Sequence, residues 1–178
     1  MRVLGIDPGT LRMGMAVLEV KTRGYEAVAY EVMHVTKNAT LPRRLKEIYR
    51  AILQFIDTYH PDVLALENVF FDKNVQSMIK IGEARACAMI AAGEKEIPVA
   101  EYPPARIKQA VSGNGRASKI QMQQMMRSIL GLKTVPEEDA ADALAVAMCH
   151  VQSQQRGRFY ERVNQIQQKG KNVRIPIG

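Results

Sequence analysis

The chain has 178 residues, of which 47% are hydrophobic and 24% charged, and its formal net charge at pH 7 is +7. This length suits one domain with a full core, and the composition excludes a disordered, collagen-like or coiled-coil chain. No apolar stretch approaches the ~18 residues that a transmembrane helix requires. Asp7 interrupts the first apolar run before a secretory signal could form, so we expect neither a membrane span nor export.

The cysteines and the charge distribution add two expectations. Cys87 and Cys149 are far apart in the sequence and form no CxxC motif, which favours buried thiols in a reducing cytoplasm over disulfides or a zinc site. Residues 151–178 contain six basic residues and one acidic residue. We therefore expect a folded domain over residues 1–157 and a flexible, basic, Gln-rich extension over residues 158–178. The net positive charge indicates nucleic acid as one possible partner, although basic tails are common.

Hydrophobic periodicity predicts alternating strands and helices along the chain. The predicted strands cover residues 2–7, 14–20, 25–35, 62–66 and 97–102. The predicted helices cover residues 41–59, 74–94, 104–111, 118–130 and 136–155. Short loops join the first three strands and predict an antiparallel meander, whereas the later strands alternate with helices. The sequence thus predicts an α/β fold with a mixed five-stranded sheet flanked by helices.

Acidic residues occupy unusual positions in these elements. Asp7 and Glu67 follow apolar strand segments, and Asp142 lies inside the apolar helical segment 140–148. Asp139 lies three residues earlier, on the same helical face as Asp142. Each acid has an ordinary explanation as well: Asp7 as a turn residue, Glu67 as a solvent-facing strand end, and Asp139 as an N-terminal helix charge. Their combination, with Asp142 one turn deeper, instead favours carboxylates that share a bound cation.

Four carboxylates without a nearby cationic partner suggest a hard divalent ion, because oxygen-only ligands favour Mg²⁺ or Mn²⁺ over Zn²⁺. Two such ions held by carboxylates form a common apparatus for phosphodiester hydrolysis. That chemistry needs no nucleophilic side chain. His150 lies eight residues after Asp142 and could approach the site, but we favour a helix-end histidine near the basic tail.

Four segments, in this order, resemble the RuvC family of Holliday junction resolvases. They are residues 5–10 (GIDPGT), 66–71 (LENVFF), 114–119 (NGRASK) and 139–145 (DAADALA). The resemblance covers residues 1–150 and implies a ribonuclease H-like fold. It also implies a crossover junction endodeoxyribonuclease that acts in DNA recombination and repair. Such an enzyme makes paired symmetric nicks in four-way DNA junctions and leaves ligatable 5′-phosphate and 3′-hydroxyl ends.

The resemblance also implies roles and partners. Two Mg²⁺ ions per subunit, replaceable by Mn²⁺, would be held by four catalytic acids, and DNA would contact residues of the neighbouring motifs. The catalytic and metal-binding acids would be Asp7, Glu67, Asp139 and Asp142. The DNA-binding residues would be Thr10, Phe70, Lys108, Arg116 and Lys119. The protein would act as a cytoplasmic homodimer beside a branch-migration motor, with the helix after Glu67 contributing to the dimer interface.

Three alternatives remain at this point. Residues 6–10 also resemble the first phosphate motif of actin-like ATPases and sugar kinases, but those proteins need two such lobes. Gly9, Arg12 and Gly14 fit the spacing of another ribonuclease H-like resolvase family, some of whose members act on RNA. A third possibility is a junction-binding module without catalysis, which would bind DNA without metal and would not depend on Asp7.

Overall fold

A computed structural model of the protein describes residues 1–68 and 75–171, the last fourteen of these as backbone only. The strands are β1 (Arg2–Asp7), β2 (Arg12–Val20), β3 (Tyr25–His34), β4 (Val63–Glu67) and β5 (Val99–Tyr102). The helices are α1 (Leu41–Tyr59), α2 (Val75–Glu94), α3 (Pro104–Ser112), α4 (Lys119–Leu130) and α5 (Glu138–Lys171). In the described part of the chain, no helix is long and apolar enough to cross a membrane.

The five strands form one mixed sheet in the order β3-β2-β1-β4-β5. β1, β2 and β3 pair antiparallel, which confirms the predicted meander. β4 pairs parallel with both β1 and β5, and Ile6 lies opposite Leu66. The carboxyl ends of β1 and β4 therefore lie side by side at one edge of the sheet. This is the position at which ligands bind in open α/β sheets.

Alternating side chains of the sheet divide the core into two layers, because successive residues of a strand point to opposite faces. Leu4, Ile6, Leu64 and Leu66 face the layer of α1 and α2. Val3, Val63 and Ala65 face the layer of α3, α4 and α5. Cys87 and Cys149 are free and buried, one in each layer, as the sequence predicted.

α5 is the one element whose end was predicted wrongly. The sequence placed its end at residue 155, where the apolar pattern stops, but the helix continues to Lys171. The residues beyond 155 are mainly Gln, Arg, Lys and Glu, all of which have favourable helix propensities. Backbone hydrogen bonds of a helix do not require an apolar stripe, so such residues can continue it. The predicted domain boundary at residue 157 thus falls inside a continuous helix.

Two glycines let α5 pack unusually close to the sheet. A Cβ atom at Gly5 would overlap the carbonyl oxygen of Ala143 and lie 2.9 Å from the backbone nitrogen of Ala147. A Cβ atom at Gly14 would overlap the carbonyl oxygen of Asp139 and lie 3.2 Å from the nitrogen of Ala140. Only a residue without a Cβ atom fits at either position. This contact brings the first turns of α5 over the ends of β1 and β2.

Candidate active site

The four predicted acids line a single cleft of about 250 Å³ at the carboxyl edge of β1 and β4. Its walls also include two lysines, Lys108 of α3 and Lys119 of α4. The full lining consists of Asp7, Glu67, Pro104, Ile107, Lys108, Lys119, Met122, Asp139, Asp142 and Val146. The structure thus brings together residues from five separate parts of the sequence.

Each acid is positioned by the element that carries it. Asp7 and Glu67 are the last residues of β1 and β4, so the parallel pairing of these strands sets their separation. Asp139 and Asp142 lie in the first turns of α5, three residues apart on one helical face. The close contact of α5 with Gly14 brings this face to the strand ends.

Burial and mutual repulsion perturb these carboxylates. Burial, together with the charges of Asp142, Glu67 and Asp139, raises the pKa of Asp7 well above its usual range, while Lys119 opposes the shift. Burial raises the pKa of Asp142 to about 6, with Lys119 as the largest opposing influence. Burial is also the main reason that the pKa of Glu67 is raised. The cleft therefore concentrates more negative charge than its own lysines neutralise.

Two basic side chains, Arg12 and Lys119, pair with acidic residues at the start of α5. The Nε of Arg12 donates to Asp139 Oδ2 at 2.7 Å, and its Nη2 lies 3.3 Å from Glu137 Oε2. Lys119 Nζ donates to the carboxylate of Glu138. The hydrogen bond to Glu138 is the main reason that the pKa of Lys119 is raised. A capping box between Ser118 and Gln121 fixes the start of α4 and so the position of Lys119.

Arg85 is a site residue that the sequence analysis missed. Its side chain on α2 is 9% exposed and donates to the backbone carbonyl of Glu67 and to the carboxylate of Glu101. It ties the ends of β4 and β5 together, and its charge opposes the burial that raises the pKa of Glu67. The sequence did contain a signal for this residue, because Arg85 lies among small residues of a helix. A buried charge in such a place requires a polar partner nearby.

The chemistry of the four carboxylates suits a divalent cation. All donors are oxygens, and a cation would offset the repulsion that raises the pKa of Asp7. Among the described residues, however, no three His, Cys, Asp or Glu side chains are already arranged so that they could hold an ion. One reason is that Asp139 pairs with Arg12.

The predicted DNA-binding residues have different environments. Lys108 and Lys119 line the cleft, whereas Arg116 is exposed on the loop before α4 and is not among the cleft residues. Thr10 is 5% exposed, and its carbonyl accepts a hydrogen bond from Arg44. Phe70 lies outside the described residues, as does Phe71. The DNA contacts of all five residues remain predictions.

His150 is a structural residue of the core. It is 4% exposed, and its Nδ1 shares a hydrogen bond of 2.8 Å with the hydroxyl of Tyr102. Burial lowers the pKa of His150, which favours the neutral ring. It does not line the cleft, so its role is structural, but it lies inside α5 and not at the helix end that the sequence predicted.

Comparison with known proteins gives a consistent result. A family profile described as crossover junction endodeoxyribonuclease RuvC matches residues 3–150. The chain is 46% identical over 151 residues to the protein of that name from Dehalococcoides mccartyi, a match that covers 84% of this chain and 90% of the relative. It is 44% identical over 153 residues to the protein from Geotalea uraniireducens, with 86% and 90% covered.

A solved structure supports the fold as well. The Thermus thermophilus RuvC in complex with Holliday junction substrate is 34% identical and superposes with a TM-score of 0.83, over 88% of this chain and 96% of that one. The agreement confirms the ribonuclease H-like fold that the resemblance implied. The actin-like and shorter-resolvase alternatives are not supported by these matches. The sequence profile, the relatives and the fold agree: the chain belongs to the RuvC family of crossover junction endodeoxyribonucleases.

Proposed function

We propose that this protein resolves four-way DNA junctions by metal-dependent hydrolysis at the cleft of Asp7, Glu67, Asp139 and Asp142. As a RuvC family member it is an endonuclease, and the proposal concerns how its residues do the work. One observation carries it: four carboxylates share a single cleft with Lys108 and Lys119. Acids alone would repel a polyanion, but acids that hold cations beside two lysines bind one.

The four acids would hold two Mg²⁺ ions, with Mn²⁺ as a possible substitute. When bound, a pair of divalent ions lowers the pKa of a water molecule and stabilises charge on the departing oxygen. Burial and the charges of the other three carboxylates raise the pKa of Asp7, so a bound divalent ion would stabilise its ionised form. Burial of Asp7, Glu67 and Asp142 strengthens their charge interactions with a bound cation.

Lys108 and Lys119 would position the scissile phosphate beside the acids. Lys108 projects from α3 and Lys119 from the start of α4, so they approach the cleft from two elements. Among the described residues that line the cleft there is no serine, cysteine or histidine. We therefore infer that water supplies the nucleophile and that no covalent enzyme intermediate forms.

Further contacts with DNA would surround the cleft. Phe70, three residues after Glu67, would stack on an unpaired base, a contact worth ~1–3 kcal/mol. Arg116 would contact a backbone phosphate from its exposed loop, and Thr10 would stabilise the turn after Asp7 or reach a phosphate. Such phosphate contacts set the position of the DNA rather than its sequence. The extension of residues 158–178 would add nonspecific affinity.

We also propose that the protein works as a cytoplasmic homodimer alongside a branch-migration motor. Support for the dimer comes from α2, whose outer face exposes Val75, Ile79 and Ile90 by 63%, 56% and 61%. Gly82 lies on the same face with open space around it. A second copy packed on this apolar face would place two clefts on one junction, as paired nicking requires.

The test is cleavage of a labelled synthetic junction with a mobile core, with and without Mg²⁺. We expect paired symmetric nicks from the wild type only with metal. Asp7→Asn keeps the shape of the side chain but removes its charge, so it should bind the junction without cutting it. We expect a loss of cleavage of about 10³-fold or more, because the acids act as a unit.

A matched control is Asp57→Asn on α1, where the carboxylate pairs with Lys95 at 2.6 Å, far from the cleft. It makes the same chemical change and should leave cleavage unaltered. Junction binding without cleavage by the wild type under any divalent ion would contradict the proposal and favour a binding module. Equal cleavage by Asp7→Asn would remove that residue from the site.

A further inference from the structure

A second groove lies on the same side of the sheet as the active cleft, between α3 and α5. Its volume is about 670 Å³. Its lining is formed by Pro103, Ala105, Arg106, Gln109, Ala110, Cys149, Gln152, Ser153, Arg156 and Gly157. α3 separates the two depressions, since Lys108 faces the cleft while Arg106 and Gln109 face the groove. None of the roles assigned so far uses this groove.

The groove contains two arginines and, among the described residues that line it, no carboxylate. Arg106 is held by neutral groups: its Nη2 donates to Ser153 Oγ at 3.1 Å, and its Cζ lies 5.9 Å from the centroid of the Tyr102 ring. These contacts orient the guanidinium and leave its charge available to an anion. At the cleft, by contrast, Arg12 and Lys119 are each paired with acids.

A buried hydrogen-bonded pair, Tyr102 and His150, holds the ring against which Arg106 packs. Tyr102 is 9% exposed, and its hydroxyl is hydrogen-bonded to His150, which is 4% exposed. The ring on which Arg106 rests is therefore fixed in the core. A side chain that is already ordered loses little conformational entropy when it binds a ligand.

The groove continues the line of the active cleft along α5. Asp139, Asp142 and Val146 line the cleft, whereas Cys149, Ser153 and Arg156 line the groove. These six positions are spaced by alternating steps of three and four residues, so they form one stripe along the helix. Asp142 and Arg156 are 14 residues apart, or about 21 Å at the helical rise of ~1.5 Å per residue. That span corresponds to about six base pairs of duplex DNA.

We propose that this groove binds the phosphate backbone of one duplex arm of the junction, about six base pairs from the cut. The inference rests on the proposed function, because it takes the junction as the substrate. Arg106 and Arg156 supply the charge, and Gln109, Gln152 and Ser153 supply hydrogen-bonding groups suited to phosphate oxygens. The contact orients the arm relative to the cleft and is independent of base sequence.

The test measures junction affinity as a function of salt, without Mg²⁺, for the wild type and for Arg106→Gln combined with Arg156→Gln. Each lost phosphate contact should reduce the salt slope by about 0.9. We expect the slope of the double variant to be shallower by about 1–2 and its affinity at low salt to be weaker by about tenfold. Arg50→Gln is the matched control, since Arg50 is an exposed arginine on α1 in the opposite layer.

A second measurement changes the DNA instead of the protein, so its wild-type arm does not depend on variant folding. Junctions with neutral methylphosphonates about six base pairs from the cut should bind more weakly to the wild type, and the double variant should not distinguish them from normal junctions. An unchanged salt slope, or an equal methylphosphonate effect in both proteins, would overturn the groove proposal while leaving junction cleavage intact. Failure of the wild type to cut any junction would instead overturn the proposed function.

Discussion

The two helix layers pack on the same sheet in opposite ways. α1 meets the sheet with large side chains, Ile48, Ile52, Phe55 and Ile56. α5 meets it with small ones, Ala140, Ala143 and Ala147, above Gly5 and Gly14. The first layer buries much apolar area per residue, and the second allows the helix backbone to approach the strands closely.

The two layers therefore have different roles: the α1 layer mainly stabilises the fold, and the α5 layer positions the acidic side chains. Large side chains in the α1 layer supply hydrophobic free energy, and a lost methylene there is felt as a cavity. In the α5 layer the backbone itself is the contacting surface, so the location of Asp139 and Asp142 depends on atoms that cannot rearrange by rotamer changes. A catalytic constellation needs this second kind of contact, since small displacements are costly for chemistry.

One substitution in each layer tests whether the two layers differ in this way. Ile52→Ala should destabilise the protein by about 2–5 kcal/mol, because it leaves a cavity, yet leave the cleavage rate of the folded fraction unchanged. Gly14→Ala should displace α5, because the new Cβ would overlap the Asp139 carbonyl oxygen. We expect about 100-fold lower cleavage, in line with a displacement of about 1 Å at the site.

Chemical denaturation and single-turnover cleavage at saturating protein measure the two effects separately. The substitution Gly24→Ala is an unsuitable control, since Gly24 has a φ of +84°. Gln54→Ala, at an exposed position on α1, lies away from both the cleft and the outer face of α2 and provides the proper one. Full activity of Gly14→Ala would show that the close approach of α5 does not position the acids.

A second prediction concerns the electrostatic cost of the cleft. Asp142 has a folded pKa of about 6 against an ordinary value of 3.8. Between these values the native state binds more protons than the unfolded state, so the contribution of this group to stability falls as pH rises and is lost above about pH 6. Asp142→Asn should therefore stabilise the metal-free protein at about pH 8 by about 2–3 kcal/mol, yet abolish cleavage.

Thermal denaturation with a chelator at about pH 8 and about pH 4 tests this sign. The variant should unfold at a higher temperature than the wild type at the higher pH, and the gap should close at the lower pH. Added Mg²⁺ should stabilise the wild type and not the variant. A variant that is less stable than the wild type at the higher pH without metal would contradict the electrostatic argument.

The smallest expected effect lies at Arg85, where the α1–α2 layer reaches the site. Arg85→Lys keeps the charge but cannot donate to both the Glu67 carbonyl and the Glu101 carboxylate in the same fixed geometry. We expect a several-fold higher Mg²⁺ requirement for cleavage with little change in the unfolding temperature, because a loosened partner of a ligand weakens metal binding. Calorimetric titration of Mg²⁺ provides the readout that is independent of activity. An unchanged Mg²⁺ affinity would assign Arg85 to stability alone.

Much of the fold could be predicted from local pattern. The bounds of β1 and α1 were predicted to the residue, and most other element ends to within two residues. The end of α5 was missed, because it was placed where the apolar run stops, whereas the helical backbone continues to Lys171. The four acids were singled out by local signals: Asp7 and Glu67 follow apolar strands, Asp142 lies inside an apolar helical segment, and Asp139 shares its helical face. Arg12 and its pairing with Asp139 were not foreseen, since 127 residues separate the two.

The sequence by itself determined the elements, the mixed sheet and the identity of the acidic residues. Hydrophobic periodicity and the placement of charges can be recognised within short segments. Only the tertiary structure decided which charges meet. It placed Asp139 against Arg12, Arg85 beneath Glu67, and Arg106 on the fixed ring of Tyr102. Such pairs depend on the register of strands and on the approach of α5 to Gly5 and Gly14. Those distances are set by packing across the whole domain, which no local segment encodes.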